Sequence, residues 1–411
     1  MKTKRKKPEI VAPAGSLEKL KYAFEYGADA CYCGIPDFSL RARINYFDTG
    51  EILEGIKYAH KLGKKVYITI NIFAHNEHIK KLPKYLEIFK KNLPDAFIVS
   101  DPGVISMIKE ILPRAKIHLS TQANCTNWRA AKMWYDLGVK RVVLAREVGL
   151  KEIKEIRKNV PNLEIESFVH GAMCMAYSGR CFLSAWLSGR SANLGDCTQV
   201  CRWKYNLVEE KRDNMHIPLE EDQHGSYILN SKDLCLIDYI KDLRDAGVDS
   251  FKIEGRAKSV HYLATVVKAY KSVIDAGFSK ESVREAKKEL KKNVNREYTT
   301  GFLLGKDTTS MQNMENRSVG SDWEFAGEVL EKIDNGVVLK IHNALKVGDK
   351  VEIIQPKGDL IKMKVKNIFN NRNGKSVESA HGGTKDLFIL EVRKEIEPMS
   401  LVRRENKSAH C

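Results

Sequence analysis

The chain has 411 residues, 43% hydrophobic and 30% charged, enough for one large domain with a sizeable core and a smaller one beside it. No apolar run reaches the roughly 18 residues of a membrane-spanning helix, and the basic opening Met1–Lys7 is not followed by the apolar stretch of a secretory signal, so a cytoplasmic protein with no membrane partner is expected. Sixty-nine basic against 53 acidic residues give a formal charge of +16, which draws polyanions by counterion release without encoding sequence preference; a lysine-rich solvated surface is the plain alternative.

In chain order, short apolar runs alternate with amphipathic helical stretches. The runs are Glu9–Ala12, Ala30–Cys33, Val66–Asn71, Ala96–Ser100, Ile117–Thr121, Arg141–Ala145, Glu164–Val169 and Ser250–Glu254. They are too short for helices and read as buried parallel strands. Gly27, Gly138 and Gly247 each stand after a helical pattern and before a strand, where a left-handed residue closes a helix. Eight strand–helix units predict an α/β fold, a (β/α)8 TIM-like barrel over 1–280. The first loop, Ala12-Pro13-Ala14-Gly15-Ser16, is no dinucleotide-binding glycine fingerprint. The interval from Val169 to Ser250 is far longer than the others, so an insertion at 170–249 belongs on the C-terminal face, where barrel enzymes keep their chemistry. A helical segment (Glu281–Val294) and a polar linker (Lys306–Asp322) occupy 281–324. Beyond them the pattern changes to strands at Val329–Ile333, Val337–Ile341, Lys350–Ile354, Ile361–Ile368 and Leu387–Val392, broken by Asn335-Gly336 and Asn373-Gly374. These predict a small antiparallel β-barrel over 325–411, placed either to clamp a macromolecule or to brace the large barrel.

Five of the nine cysteines fall in the long insertion: Cys174, Cys181, Cys197, Cys201 and Cys235. In a reducing compartment they are better metal or catalytic candidates than disulfides. Zinc usually takes paired knuckles, and only Cys197 and Cys201 resemble one. An iron–sulfur cluster, a zinc ion, and unliganded buried or redox thiols all stay open from spacing. For a cubane cluster the first set is Cys174, Cys181, Cys197 and Cys235, with Cys201 in reserve. Arg180, Arg190 and Arg202 lie close enough in sequence to stabilise thiolates, or to meet substrate. Cys31, Cys33, Cys125 and Cys411 are scattered, and the first two read as small core residues.

Glu166-Ser167-Phe168-Val169-His170-Gly171-Ala172-Met173-Cys174, continuing through Ser178-Gly179-Arg180-Cys181-Phe182-Leu183-Ser184 and Cys197-Thr198-Gln199-Val200-Cys201-Arg202-Trp203-Lys204-Tyr205, resembles the signature of the collagenase-like U32 peptidase family. The likeness also takes in Ala12–Ser16, Leu119-Ser120-Thr121-Gln122 and Phe251-Lys252-Ile253-Glu254-Gly255-Arg256, and so covers nearly the whole chain. Length and the C-terminal β-domain resemble the members that hydroxylate tRNA at the wobble uridine. The resemblance implies a [4Fe–4S] cluster on four cysteines, prephenate as hydroxyl source, tRNA or another RNA as partner, and in some relatives a second family member as heterodimer partner.

Asn71, Gln122, Arg146, Glu147, Lys252, Glu254 and Arg256 sit at predicted strand ends, where a barrel mouth collects them. A dicarboxylate such as prephenate favours bidentate arginines: Arg146 and Arg256 first, then Arg41 and Arg43. Glu166 and Glu254 either move protons or pair with Lys252. His170 is a catalytic candidate or a structural histidine at a strand end. Trp203 and Tyr205 either stack on a flipped base or pack in the core. The runner-up activity is protein hydrolysis, for which the chain has neither H-E-x-x-H nor G-x-S-x-G. It would also need Cys174 as nucleophile, in competition with a cluster. A non-catalytic scaffold subunit is the third reading.

Overall fold

A computed structural model describes residues 6–39, 47–174, 176–203, 231–305 and 321–406. Strands β1 (Glu9–Pro13), β2 (Ala30–Gly34), β3 (Lys65–Ile70), β4 (Ala96–Val99), β5 (Ile117–Leu119), β6 (Arg141–Val143) and β7 (Glu164–Ala172) pair in parallel in sequence order. Strand β9 (Ser250–Ile253) pairs in parallel with both β7 and β1 and closes the barrel. All eight predicted strands are present. Gly27, Gly138 and Gly247 take φ of +108°, +86° and +111°, the left-handed helix closure their positions require.

The barrel strands bury two different faces. Ile10, Ala12, Cys31, Cys33, Ile68 and Phe97 point outward into the helix–sheet core. Their alternating neighbours Val11, Ala30, Tyr32, Tyr67, Ala96 and Ile98 form a separate cluster in the lumen. Beside this cluster the lumen holds a buried charge network. Arg141 bonds Glu9 at 2.6 Å, Glu164 at 2.6 Å and Glu166 at 2.9 Å, and Lys252 bonds Glu166 at 2.5 Å. Buried charges persist only where paired in this way.

Past the barrel rim, β7 continues and meets β8 (Asp233–Cys235) in antiparallel, with His170 opposite Cys235; β8 in turn pairs with β10 (Tyr298–Thr299). The β7–β9 register shifts between Phe168 and His170. Gly171 sits just beyond that bulge at φ +108°, and a Cβ there would lie 2.4 Å from the Glu254 carbonyl oxygen. Gly171→Ala is expected to cost about 2 kcal/mol or more from strain and overpacking, read as a lowered melting temperature of the full chain.

The C-terminal unit comprises β11 (Trp323–Ile333), β12 (Gly336–Ile341), β13 (Ala344–Lys346), β14 (Lys350–Ile354), β15 (Ile361–Lys364), β16 (Ile368–Asn370), β17 (Ser379–His381), β18 (Phe388–Glu391) and β19 (Leu401–Glu405). Seven of them form an antiparallel half-barrel sheet in the order β15-β14-β19-β11-β12-β18-β16, and β13 pairs with β17. The sheet docks on the barrel's helices. Tyr26 donates to the Ile354 and Met399 carbonyls at 2.7 and 3.0 Å. Arg403, fully buried on β19, bonds Glu352 through Nε at 2.8 Å and also reaches Glu289 on the helix Lys280–Lys291, while Lys292 closes on Glu352 at 2.9 Å. Arg403→Met leaves these carboxylates short of a buried cation, and a loss of about 3–5 kcal/mol is expected from a denaturant titration.

Glu328 bridges the same two parts, accepting from Tyr22 at 2.6 Å, Lys340 at 2.8 Å and His342 at 3.0 Å. Burial would raise its pKa, but the three donors outweigh it and hold the carboxyl at about 2. Its folded pKa lies below the ordinary 4.5, so the stabilisation is present in full above that value and disappears as pH falls through about 2. Glu328→Gln is expected to flatten the acid limb of the stability–pH curve in that window.

Candidate active site

The C-terminal rim of the barrel and the segment 174–203 enclose a cavity of about 470 Å3. Its floor is made by strand ends, and the placement follows from the parallel closure: side chains just past each strand face one mouth. Asn71, Gln122, Arg146, Lys252, Glu254 and Arg256 all line it, as the sequence predicts, joined by Tyr32, Thr69, Ser120 and Phe168. Arg41 and Arg43 lie outside the described residues.

Lys252 is buried at the base of the cavity, its ammonium 4.2 Å from the centre of the Tyr32 ring. Burial lowers its pKa, with Glu166 opposing. Glu166 itself is fully buried beneath Lys252 and does not reach the cavity. Burial would raise its carboxyl, but Lys252 and Arg141 keep it below the ordinary value. Its visible work is to hold the lysine. Tyr32 donates to Glu254 at 3.2 Å and to the Ile253 carbonyl at 3.0 Å, with its own pKa driven well up by burial. Arg146 stacks 4.0 Å over the Phe168 ring, with Nη2 4.0 Å from Glu254. Arg256 donates to Ser39 and Thr69 at 3.3 and 3.4 Å. Opposite these cations, the Asn71 amide donates to Ser120 at 3.3 Å and to Gln122 at 3.2 Å. Three guanidinium or ammonium groups with one carboxylate suit a small dianion that also presents a proton donor.

The roof is the cysteine-rich segment, and it is tied down at several points. Glu147 accepts from the Ser178 backbone N–H at 2.7 Å and its hydroxyl at 2.9 Å. Arg180 donates to the Gln122 carbonyl at 2.8 Å through Nε, and Phe73 N–H donates to the Asn193 carbonyl at 3.0 Å. Glu147, a predicted rim residue, is thus an anchor for the roof. Cys174, Cys181, Cys197 and Cys201 line the cavity. Four thiols on one wall match the donor type and number of a cubane cluster, although among the described residues no three cysteine, histidine or carboxylate groups converge to metal-binding distance.

Two further predicted residues lie off the cavity, as Glu166 does. His170 would face the lumen by plain alternation with Glu166 and Phe168. The register shift turns it outward, among the rings of Tyr262, Tyr270 and Tyr298 at 5.5 to 5.9 Å. Burial lowers its pKa to about 4, so it is neutral near pH 7. Cys235, opposite it on β8, is not among the cavity-lining residues; burial raises its thiol to about 11, eased in part by backbone and Tyr270 hydrogen bonds. Cys31, Cys33 and Cys125 are buried. Trp203 is 47% exposed, and Tyr205 lies outside the described residues. Tyr32, Thr69 and Ser120 were not foreseen, because at strand ends they look like ordinary core or β-forming positions. Tyr32 carried one usable signal, a polar-tipped ring two residues before the end of β2.

Residues 15–313 match the model of Peptidase family U32, and residues 321–403 that of the Peptidase family U32 C-terminal domain. The chain belongs to peptidase family U32. Within this family it is 41% identical to "tRNA hydroxylation protein P" of Escherichia coli (strain K12), over 86% of this chain and 87% of that one. It is 39% identical to "tRNA hydroxylation protein P1" of Bacillus subtilis (strain 168), over 97% and 95%. A "Collagenase" of Porphyromonas gingivalis (strain ATCC BAA-308 / W83) is 31% identical over 97% and 98%. The U32 model thus spans every barrel strand but β1, together with the roof.

Proposed function

We propose that this chain is a tRNA-modifying enzyme that hydroxylates the wobble uridine at C5, drawing the hydroxyl group from a dicarboxylate of the prephenate type and carrying a [4Fe–4S] cluster. The observation that carries the reading is the two-sided cavity. Lys252, Arg146 and Arg256 form a cationic floor with Glu254, and four thiols form the roof. The curated relatives named for tRNA hydroxylation match along most of their length, and the charge of +16 suits an RNA partner.

Cys174, Cys181 and Cys197 are assigned to the cluster, with either Cys235 or Cys201 as fourth ligand; when bound, the cluster supplies redox capacity beside the substrate. Arg146 and Arg256 bind the carboxylates of the small co-substrate. Lys252 neutralises charge that develops at the cavity base, and Glu254, hydrogen-bonded by Tyr32, holds or moves a proton at its Oε2. The peptidase reading is the weaker one. It needs a base beside a nucleophile, and His170 faces away from the cavity that Cys174 lines.

The test is nucleoside analysis of bulk tRNA from a strain lacking the gene and complemented with this chain. Return of 5-hydroxyuridine-derived wobble nucleosides is expected. Their continued absence, with the protein expressed and holding iron, overturns the reading.

A further inference from the structure

The short helix Leu183–Ser188 in the cavity roof is built inside out. Ser184 is 1% exposed and donates to the Arg190 carbonyl at 2.7 Å, while both Ser184 and Ser188 bond the Thr198 hydroxyl at 2.9 and 3.0 Å. The polar residues thus anchor the helix to the protein. Its large apolar residues face outward instead: Phe182 is 83% exposed and Trp186 79%. The Trp186 N–H donates to the Phe182 carbonyl at 2.9 Å, so the two residues are one helical turn apart and their side chains emerge on the same face. Tyr177, Leu187 and Trp203 are exposed on the same segment. Aromatic rings are seldom left so bare without a partner to cover them.

We infer that Phe182 and Trp186 form a stacking platform for unpaired RNA bases flanking the nucleotide in the cavity. The inference rests on the RNA-modifying reading and adds the residues that grip the strand. Three features favour unpaired bases over a protein partner. Phe182 also lines the cavity, so the platform is continuous with the place a target nucleotide must enter. The flanking cations are those a phosphate chain needs: Arg180 is exposed beside it, Lys258 is exposed on the cavity rim, and residues 174–203 contain three arginines against one acidic residue, Asp196. Asp196 is itself paired with Arg190 at 2.6 Å. Rings interleaved with cations are the pattern by which single strands are held, each base offering a face to a ring and each phosphate a charge to a guanidinium or ammonium.

The full chain is titrated with a fluorescent anticodon stem–loop carrying an unpaired uridine-rich loop, and with its fully paired counterpart. Phe182→Ala and Trp186→Ala are each expected to weaken binding of the loop roughly tenfold and to leave the paired control unchanged. Neither variant alters the slope of affinity with salt, since no charge is removed. Phe182→Tyr and Trp186→Phe keep the affinity, and Arg180→Gln lowers the salt slope by about one. Unchanged loop affinity in the Phe182→Ala/Trp186→Ala double variant, with an unaltered thermal melt, overturns the platform. So does a shift in sedimentation behaviour of that variant without loss of RNA affinity, which marks the face as a contact between protein chains. If the rings govern loop binding but the complemented strain shows no hydroxylated wobble nucleosides, the platform stands and the hydroxylation reading falls.

Discussion

Under the proposed cluster, Cys181→Ala, purified without air, is expected to contain no iron or sulfide and to show no visible absorbance, and the parent chain is expected to hold about four irons. The expectation turns on where the sulfurs stand. Cys181 lines the cavity together with Cys174 and Cys197, and both ligand sets include it. Its backbone N–H is held by the Asn193 side chain at 3.1 Å, so the alanine variant keeps the local chain path. The barrel core contains none of these three cysteines, and a melting temperature close to that of the metal-free parent is expected. The companion pair decides the fourth ligand. Cys201 lines the cavity, whereas Cys235 lies at the β7–β8 crossing beside Tyr270. Whichever of Cys201→Ala and Cys235→Ala empties the site names it. Full iron content in Cys181→Ala would overturn this ligand set.

Much of the cavity was legible because one rule governs it. In a closed parallel barrel, the residue that follows each strand faces the common mouth, so Asn71, Gln122, Arg146, Lys252, Glu254 and Arg256 meet although they are up to 185 residues apart in sequence. The rule needs only strand positions, and short apolar runs closed by glycines supply those. It fails where the alternation itself is broken. A single register shift after Phe168 moves His170 from the lumen to the outer tyrosines, and no pattern in Ser167-Phe168-Val169-His170 announces it. The antiparallel return of β8 is equally silent, since Asp233–Cys235 is too short for periodicity to register. Strand β19 was missed for a different reason. Arg403 and Arg404 make Leu401–Glu405 look like a solvated end, yet Arg403 is fully buried because Glu352 and Glu289 receive it.

Lys252→Met is expected to lower kcat/KM for tRNA hydroxylation by about 10²–10³, the usual effect of removing one preorganised charge from an enclosed site. Stability will fall as well, and the two effects need separating. In the parent chain Glu166 is held by Lys252 at 2.5 Å, by Arg141 at 2.9 Å and by the Ser250 hydroxyl at 3.1 Å. Without the ammonium, Glu166 keeps Arg141, which it shares with Glu9 and Glu164, leaving a surplus of buried negative charge that costs about 3 kcal/mol or more. Glu166→Gln removes that surplus. The double variant Lys252→Met/Glu166→Gln should therefore regain most of the lost stability, a favourable coupling between neighbours of the kind double-mutant cycles detect. Activity should not return, because Lys252 lines the cavity and Glu166 does not. A double variant that recovers both would show that Lys252 acts only as a structural counter-ion, and the cationic floor would then rest on Arg146 and Arg256 alone.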